Sequence, residues 1–265
     1  MLVSSRELTE VDLLHASQSA VGSERNPELS LIVPTYNESE NIVELVDRIE
    51  KLRDFISLEV IIVDDNSPDG TDKIAEFLNH KYGNIKVCRR SEKGGLSSAV
   101  LHGFENATAG ILAVMDADMQ HPPEVLPKLF SKLSEGCDLV VASRYVDGGG
   151  VVDWPSHRII LSRGAIMLAH MFLPKTRQIK DATSGCFVVR RDVMNGVKFD
   201  TIGFKLLLEI LARCSLNKVA EVPYKFTNRH NGNSNLNLKE LGNFAVLLIK
   251  IFRSSFCSVN KARRV

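Results

Sequence analysis

The chain lacks most of the features that would place it in a specialised class. Its five cysteines, Cys88, Cys137, Cys186, Cys214 and Cys257, are scattered through 265 residues and odd in number. No two stand at CxxC spacing, so neither a zinc site nor a disulfide framework is expected. Reduced thiols in a cytosolic setting are the simpler reading. Charge is balanced, with 33 basic against 32 acidic side chains and a net charge of +1. No global field therefore selects nucleic acid as a partner. Uncharged apolar runs stop short of the roughly 18 residues that a membrane-spanning helix needs. The closest, Leu241 to Phe256, is interrupted by Lys250 and Arg253. Residues 1–28 carry acids at Glu7, Glu10 and Asp12. They lack the basic start and apolar run of a signal peptide. A P-loop lysine motif and a GxGxxG after the first apolar run are also missing. Their absence argues against a nucleoside triphosphatase or a dinucleotide dehydrogenase.

What remains is an ordinary globular composition, 44% apolar and 25% charged, with a strongly ordered pattern. Apolar runs at Leu29–Val33, Leu58–Val63, Ile85–Cys88, Ile111–Met115 and Leu139–Ala142 read as strands. Between them, 38–53, 69–82, 94–107 and 124–133 read as helices; Ile42, Leu45, Val46, Ile49 and Leu52 share one face of the first. Strict alternation of this kind predicts an α/β fold with a mainly parallel central sheet flanked by helices. Further on, Ser184–Val189 and Val219–Phe226 read as strands, with helices at 159–173, 204–214 and 238–252. The expected organisation is an N-terminal extension over 1–28, one main domain over 29–235, and an amphipathic basic helix and tail over 236–265.

Ligands of parallel sheets sit at the carboxyl ends of the strands, and four of those ends here are polar. They are Pro34-Thr35-Tyr36-Asn37-Glu38, Asp64-Asp65-Asn66-Ser67, Asp116-Ala117-Asp118-Met119-Gln120 and Ser143-Arg144-Tyr145. In extended chain, residues i and i+2 face the same side, so Asp116 and Asp118 can share one site. Paired carboxylates repel, and a divalent cation relieves the repulsion. Mg2+ or Mn2+ takes one or two carboxylates plus substrate phosphates, and can neutralise a departing diphosphate. The competing reading is that both acids cap the helix starting near Pro122. Asp64-Asp65 has two readings as well, a contact to a ribose or base edge, or a turn and helix cap. Tyr36 and Glu38 could stack on and bond a nucleobase, although Glu38 also suits a first helical turn. The planar fork of Arg144 suits phosphate. His121-Pro122-Pro123 reads as a rigid turn.

Taken together, these motifs resemble family-2 inverting glycosyltransferases, and within them the dolichyl-phosphate mannose synthases. The resemblance is carried by Val33-Pro34-Thr35-Tyr36-Asn37-Glu38, Val63-Asp64-Asp65-Asn66-Ser67-Pro68-Asp69-Gly70-Thr71 and Lys93-Gly94-Gly95-Leu96. It continues in Met115-Asp116-Ala117-Asp118-Met119-Gln120-His121-Pro122-Pro123, Ala142-Ser143-Arg144-Tyr145, Asp181-Ala182-Thr183-Ser184-Gly185-Cys186-Phe187 and Gly203-Phe204-Lys205-Leu206-Leu207-Leu208-Glu209. It implies a GT-A type, Rossmann-like nucleotide-sugar fold that transfers mannose from GDP-mannose to dolichyl or another polyprenyl phosphate with inversion. It implies that Pro34, Tyr36, Glu38, Val63 and Asp65 surround guanosine. Asp116 and Asp118, with Gln120 and Ala117 beside them, would hold Mg2+ or Mn2+ and the diphosphate. Arg144, Arg229 and Lys205 would contact phosphates, with Arg158 a further cation. One position departs: Asn235 stands where the family has a lysine, which removes a cation expected near the phosphates.

A polyprenyl-phosphate acceptor is already an anion at neutral pH, its second pKa lying near ~6, so no dedicated base is expected. A lipid acceptor also implies a peripheral protein at the cytoplasmic face of a membrane, held directly at the membrane surface or through a membrane-anchoring subunit. Residues 159–173, apolar with basic edges, suit an interface. So do 241–265, with five basic residues and no acid; packing of either helix on the core is the alternative. Transfer of glucose from UDP-glucose, another family-2 reaction, and a non-catalytic nucleotide-sugar-binding subunit stay open as alternatives.

Overall fold

The computed structural model of the chain describes residues 26–199, 205–227, 244 and 246–251. Strand β1 (Leu29–Thr35) is buried along its whole length, and β2 (Leu58–Asp64) nearly so. Near-continuous apolar runs are what a strand covered on both faces requires. With β3 (Ile85–Arg89), β4 (Ile111–Val114), β5 (Leu139–Ser143), β7 (Phe187–Arg190) and β8 (Val219–Pro223) they form one sheet in the order β3-β2-β1-β4-β7-β5-β8. Every pairing is parallel except those of β7, which runs antiparallel to both β4 and β5. The mainly parallel expectation therefore holds. Its one reversed strand follows the irregular 181–186 segment, so β7 starts at Phe187 rather than at Ser184.

The helices cover the two faces. Helices α1 (Ile42–Glu50), α2 (Thr71–Tyr82) and α4 (Leu126–Ser134) pack on one side with Leu29, Leu31 and Val33. Helices α3 (Leu96–Asn106), α5 (Ser156–Phe172) and α6 (Leu206–Arg213) pack on the other with Ile32. The alternation along β1 is the two-residue period of a strand. Ile42, Leu45, Val46 and Ile49 of α1 are all fully buried. A nine-residue helix is marginal alone; about 1.5–3 kcal/mol for each buried aliphatic side chain fixes it here. On the second face Phe244, Leu247, Leu248 and Ile251 are also buried. This stretch of the C-terminal helix packs on the core, the alternative to interface binding; most of the tail lies outside the described residues, as do residues 1–25.

The run read as one strand, Val219–Phe226, is two. After Pro223 the chain leaves the sheet, and β9 (Lys225–Phe226) pairs with β6 (Gly150–Val151) in a two-stranded parallel ribbon. The sheet order also sets where a ligand can enter. The chain steps outward from β1 to β2 and β3, then returns to the opposite side of β1 as β4. Crossovers leaving in opposite directions open a crevice beyond the carboxyl ends of β1 and β4.

Candidate active site

The β1 and β2 ends form one wall of this crevice. Register places Pro34 beside Val63 and Thr35 beside Asp64. Both Asp64 oxygens are consumed locally, by the Ser67 backbone N–H (2.8 Å), the Ser67 hydroxyl (2.6 Å) and the Thr35 hydroxyl (2.9 Å). Asp64 is thus the turn residue of the pair. Asp65 is buried and points elsewhere: it accepts from the Gly95 N–H at 3.1 Å and meets the Arg90 guanidinium at 2.8 Å. A Cβ at Gly94 would stand 1.8 Å from Arg90 Nη2, so glycine is what lets that guanidinium cross the loop. Tyr36 is exposed, and Lys93 Nζ lies 3.4 Å from its ring centroid, a cation–π contact that the residue pattern had not singled out. Glu38 accepts from the Asn41 amide at 2.7 Å, and its own N–H donates to Thr71.

The acidic triplet follows β4 across the crevice. Ala117 and Asp118 are buried, while the Asp116 side chain is 29% exposed. Asp118 Oδ1 accepts from the Gln120 N–H at 3.1 Å, which supports the left-handed turn at Met119 (φ 62°). The short 3-10 helix Pro123–Val125 has Pro122 at its N-cap with no side-chain cap, so neither aspartate serves as its cap. Gln120 reaches over to the end of β9: its amide donates to the Thr227 carbonyl (3.3 Å), and the Thr227 N–H returns a bond to the Gln120 carbonyl (3.3 Å). Gly185 closes in from the loop before β7. A Cβ there would stand 2.6 Å from Asp116 Oδ2.

Beneath the triplet lies a buried ionic and aromatic cluster. The sequence offered the planar fork of Arg144 to a phosphate. In the structure that fork is taken by Asp181, with Nε 2.8 Å from Oδ2 and Nη2 2.7 Å from Oδ1. The Arg144 backbone N–H and the Thr183 hydroxyl complete the arrangement. The reason is burial: a guanidinium 8% exposed needs a counter-ion within the protein. Burial alone would raise the Asp181 carboxyl, but Arg144 holds it below the ordinary range. Lys205 Nζ donates to the Thr183 carbonyl at 2.7 Å. Burial and the neighbouring Arg144 charge push its pKa down to about 8, with Asp116 and Asp181 opposing. His121 stacks on Tyr224 and meets Phe226 edge-on; burial lowers its pKa to about 4, leaving it neutral. Arg158 lies 5.0 Å from the Trp154 ring. Arg229 and Asn235 lie outside the described residues. Asp181, Thr183, His121 and Trp154 are cluster members that residue-type spacing did not reveal; for Asp181 and Thr183 the one signal was the 181–187 motif.

A doubly covered, mainly parallel sheet with its order switching at β1 and β4, and two aspartates just past that switch, is the architecture of the GT-A glycosyltransferase fold. The profile of "Glycosyl transferase family 2" matches residues 30–197, and the chain belongs to that family. Among curated proteins it is similar to the dolichol-phosphate mannosyltransferase of Pyrococcus furiosus, 48% identical over 213 residues. That match covers 80% of this chain and 60% of the archaeal protein's length. The proteins of the same name from Mycosarcoma maydis and Saccharomyces cerevisiae are 35% and 36% identical. Those matches cover 88% of this chain and 82% and 90% of theirs. Among solved structures, glucosyl-3-phosphoglycerate synthase from Mycobacterium tuberculosis, in complex with Mn2+, UDP and glucosyl-3-phosphoglycerate, superposes with a TM-score of 0.62. It is 20% identical, and 96% of this chain and 86% of that one are covered. Mannosyl-3-phosphoglycerate synthase from Rubrobacter xylanophilus gives 0.62 at 19% identity, covering 96% and 79%. At such identities the shared property is the fold.

Proposed function

We propose that the chain transfers mannose from GDP-mannose to a polyprenyl phosphate of the dolichyl type, with inversion. The observation that carries this reading is the Asp116–Asp118 pair at the switch crevice, opposite the Tyr36, Glu38 and Asp65 wall. The similarity to dolichol-phosphate mannosyltransferases supports the choice of sugar and acceptor.

The donor set fits a hard divalent cation. Among the described residues no group of three or more His, Cys, Asp or Glu side chains converges. Two carboxylates completed by substrate phosphates are the arrangement Mg2+ and Mn2+ prefer over an all-protein cage. Asp116 and Asp118 would hold the ion, with Gln120 beside them; when bound, it would neutralise the charge of the leaving diphosphate.

The chain's own residues do the rest. Tyr36 offers a ring face to the base, and Glu38 and Asp65 offer acceptor oxygens to the N–H groups of guanine or the hydroxyls of ribose. Pro34 and Val63 are packed into the sheet and Ala117 is buried in the bend past β4, so they shape the crevice through backbone. Arg144 and Asp181 cancel each other's charge, which makes that pair a rigid wall. Lys205, a half-buried cation that feels the Asp116 charge, is then a described candidate for phosphate; Arg229 is assigned to phosphate through the family motif. An acceptor phosphate oxygen bonds to the anomeric carbon while the bond from that carbon to the donor's β-phosphate oxygen breaks, its electron pair leaving with GDP. The acceptor arrives as an anion, so no side chain has to remove a proton. Positioning and charge neutralisation are the whole of the protein's task.

A lipid acceptor requires access to a bilayer. No helix among the described residues is long and apolar enough to cross a membrane. Helix α5 instead presents Ile160, Met167 and Met171 to solvent, beside Arg158 and Arg163, in the manner of an interfacial helix. The chain then works at a membrane surface, by itself or with an anchoring subunit.

The test is incubation with labelled GDP-mannose, Mg2+ or Mn2+ and a polyprenyl phosphate, followed by extraction into organic solvent. Label in the organic phase with GDP released supports the reading. Transfer from UDP-glucose alone, or GDP binding without release in turnover, overturns it in favour of another donor or of a binding subunit.

A further inference from the structure

We infer that His121 is a positioning residue for Asp116, its Nδ1–H orienting the carboxylate toward the cation and the donor diphosphate. The inference rests on the metal-site reading above and deepens it.

The imidazole is 2% exposed, and among the described residues neither ring nitrogen has a hydrogen-bond partner. A buried donor left unpaired is rare in native proteins and calls for an explanation. The ring cannot readily turn to find a partner elsewhere. Tyr224 stacks on it at 5.4 Å and 23°, and Phe226 meets its edge at 5.2 Å. Nδ1 lies 3.8 Å from Asp116 Oδ2, about 1 Å beyond an ordinary hydrogen bond. The Asp116 side chain is 29% exposed, against 2% for the imidazole. Gly185 supplies the space: a Cβ would lie 2.6 Å from Asp116 Oδ2 and 3.4 Å from His121 Cε1. The slot between carboxylate and imidazole exists because residue 185 has no side chain.

Asp118 is already oriented, through the Gln120 N–H on Oδ1. His121 gives Asp116 the equivalent anchor from behind. A small rotation of the Asp116 carboxylate closes the bond to Nδ1 and fixes the direction of its remaining lone pairs. Outer partners of this kind fix the geometry of ligating carboxylates and raise metal affinity.

The experiment is Mn2+ binding in the presence of GDP, followed by electron paramagnetic resonance, on wild type and on His121→Asn, His121→Gln and His121→Phe. Asparagine places its amide nitrogen near the position of Nδ1; glutamine places it near Nε2. Wild-type-like affinity is expected for His121→Asn, and weakening of about 10–100-fold for His121→Gln and His121→Phe. Equal affinity in all folded variants overturns the inference, as does rescue by glutamine in place of asparagine. If His121→Phe does not fold, the Asn and Gln pair decides, because each puts one amide into the same cavity. Spectra of 15N-histidine-labelled, metal-free wild type give a second measurement: the Nδ1–H tautomer is expected, and the Nε2–H tautomer overturns the assignment. Wild type that takes up no Mn2+ with GDP would instead overturn the metal-site reading itself.

Discussion

Arg144 and Asp181 meet through two parallel hydrogen bonds, 2.8 and 2.7 Å long, inside the protein. They stand on the end of β5 and in the loop before β7, the reversed strand that lies between β4 and β5. Removing one member leaves an uncompensated buried charge, which costs about 3–5 kcal/mol. Arg144→Ala or Asp181→Asn should therefore lower Tm by roughly 6–20 °C, at about 2–4 °C per kcal/mol for a chain of this size. Arg144→Lys should not rescue it, since a lysine has no fork. The double variant Arg144→Met with Asp181→Leu should recover much of the Tm and still lack activity. Calorimetry beside a turnover assay separates the two effects; an unchanged Tm in the single variants refutes the structural role.

Stability should also depend on pH in a defined window. His121 has a folded pKa of about 4, below the ordinary 6.5. Between these values the unfolded chain binds more protons than the folded one, so stability rises with pH there. His121 thus contributes fully above 6.5 and loses its contribution as pH falls toward 4. Asp116, Asp118, Arg144, Asp181 and Lys205 face it, and Arg144 and Lys205 reinforce the shift. The depressed Asp181 carboxyl acts in the same direction at lower pH still, where its contribution is lost as it protonates. Denaturant midpoints measured in metal-free buffer should drop between pH 6.5 and 4.5 by an amount on the order of 2–3 kcal/mol. In His121→Phe that drop should shrink; an identical slope in both proteins contradicts it.

How much of this was legible beforehand follows from the range of each contact. The crevice was readable because buried strands are continuous apolar runs and the polar residue after each run is local information. Asp116 and Asp118 were placed side by side by a spacing of two together with their position just past a buried apolar run, among other polar strand ends. Arg144 was correctly placed at a strand end, yet its partner lies 37 residues away on a loop whose position depends on the reversal of β7. Asp181 could not be assigned by spacing for that reason. The His121-Pro122-Pro123 stretch read as a turn, and its chain path is one, but the aromatic box that buries the imidazole comes from Tyr224 and Phe226. Those two residues face it because the expected long strand breaks after Pro223, a break that alternating hydrophobicity alone did not mark.

Substitutions at the triplet should divide into chemistry and geometry. Asp116→Ala and Asp118→Ala should each abolish turnover and Mn2+ uptake; near-normal rates in either would remove the metal role. Gly185→Ala is the finer test. The new Cβ would stand 2.6 Å from Asp116 Oδ2, so the carboxylate has to shift by several tenths of an ångström. Turnover should fall at least tenfold and Mn2+ affinity with it, while Tm changes little because the displaced group is partly exposed. Full activity in Gly185→Ala would mean that the Asp116 position is not critical.

Membrane contact has two candidate sources that respond differently to salt. Ile160, Met167 and Met171 on α5 are 69%, 65% and 57% exposed, and apolar insertion of such side chains depends little on ionic strength. Replacing all three with serine should weaken liposome binding at least tenfold at any salt concentration and leave Tm nearly unchanged, since exposed positions contribute little to folding. The tail beyond residue 251 carries Arg253, Lys261, Arg263 and Arg264. Basic residues attract anionic lipid by about 1 kcal/mol each near the surface, an attraction screened over roughly 8 Å at physiological ionic strength. A chain ending at 251 keeps the buried Phe244, Leu247, Leu248 and Ile251, whereas truncation at 241 would strip them from the core and confuse folding with binding. Flotation with anionic liposomes should show the 251 truncation losing affinity at low salt and matching wild type at high salt. Retention of full binding by the α5 triple-serine variant at high salt would eliminate that helix as the interface.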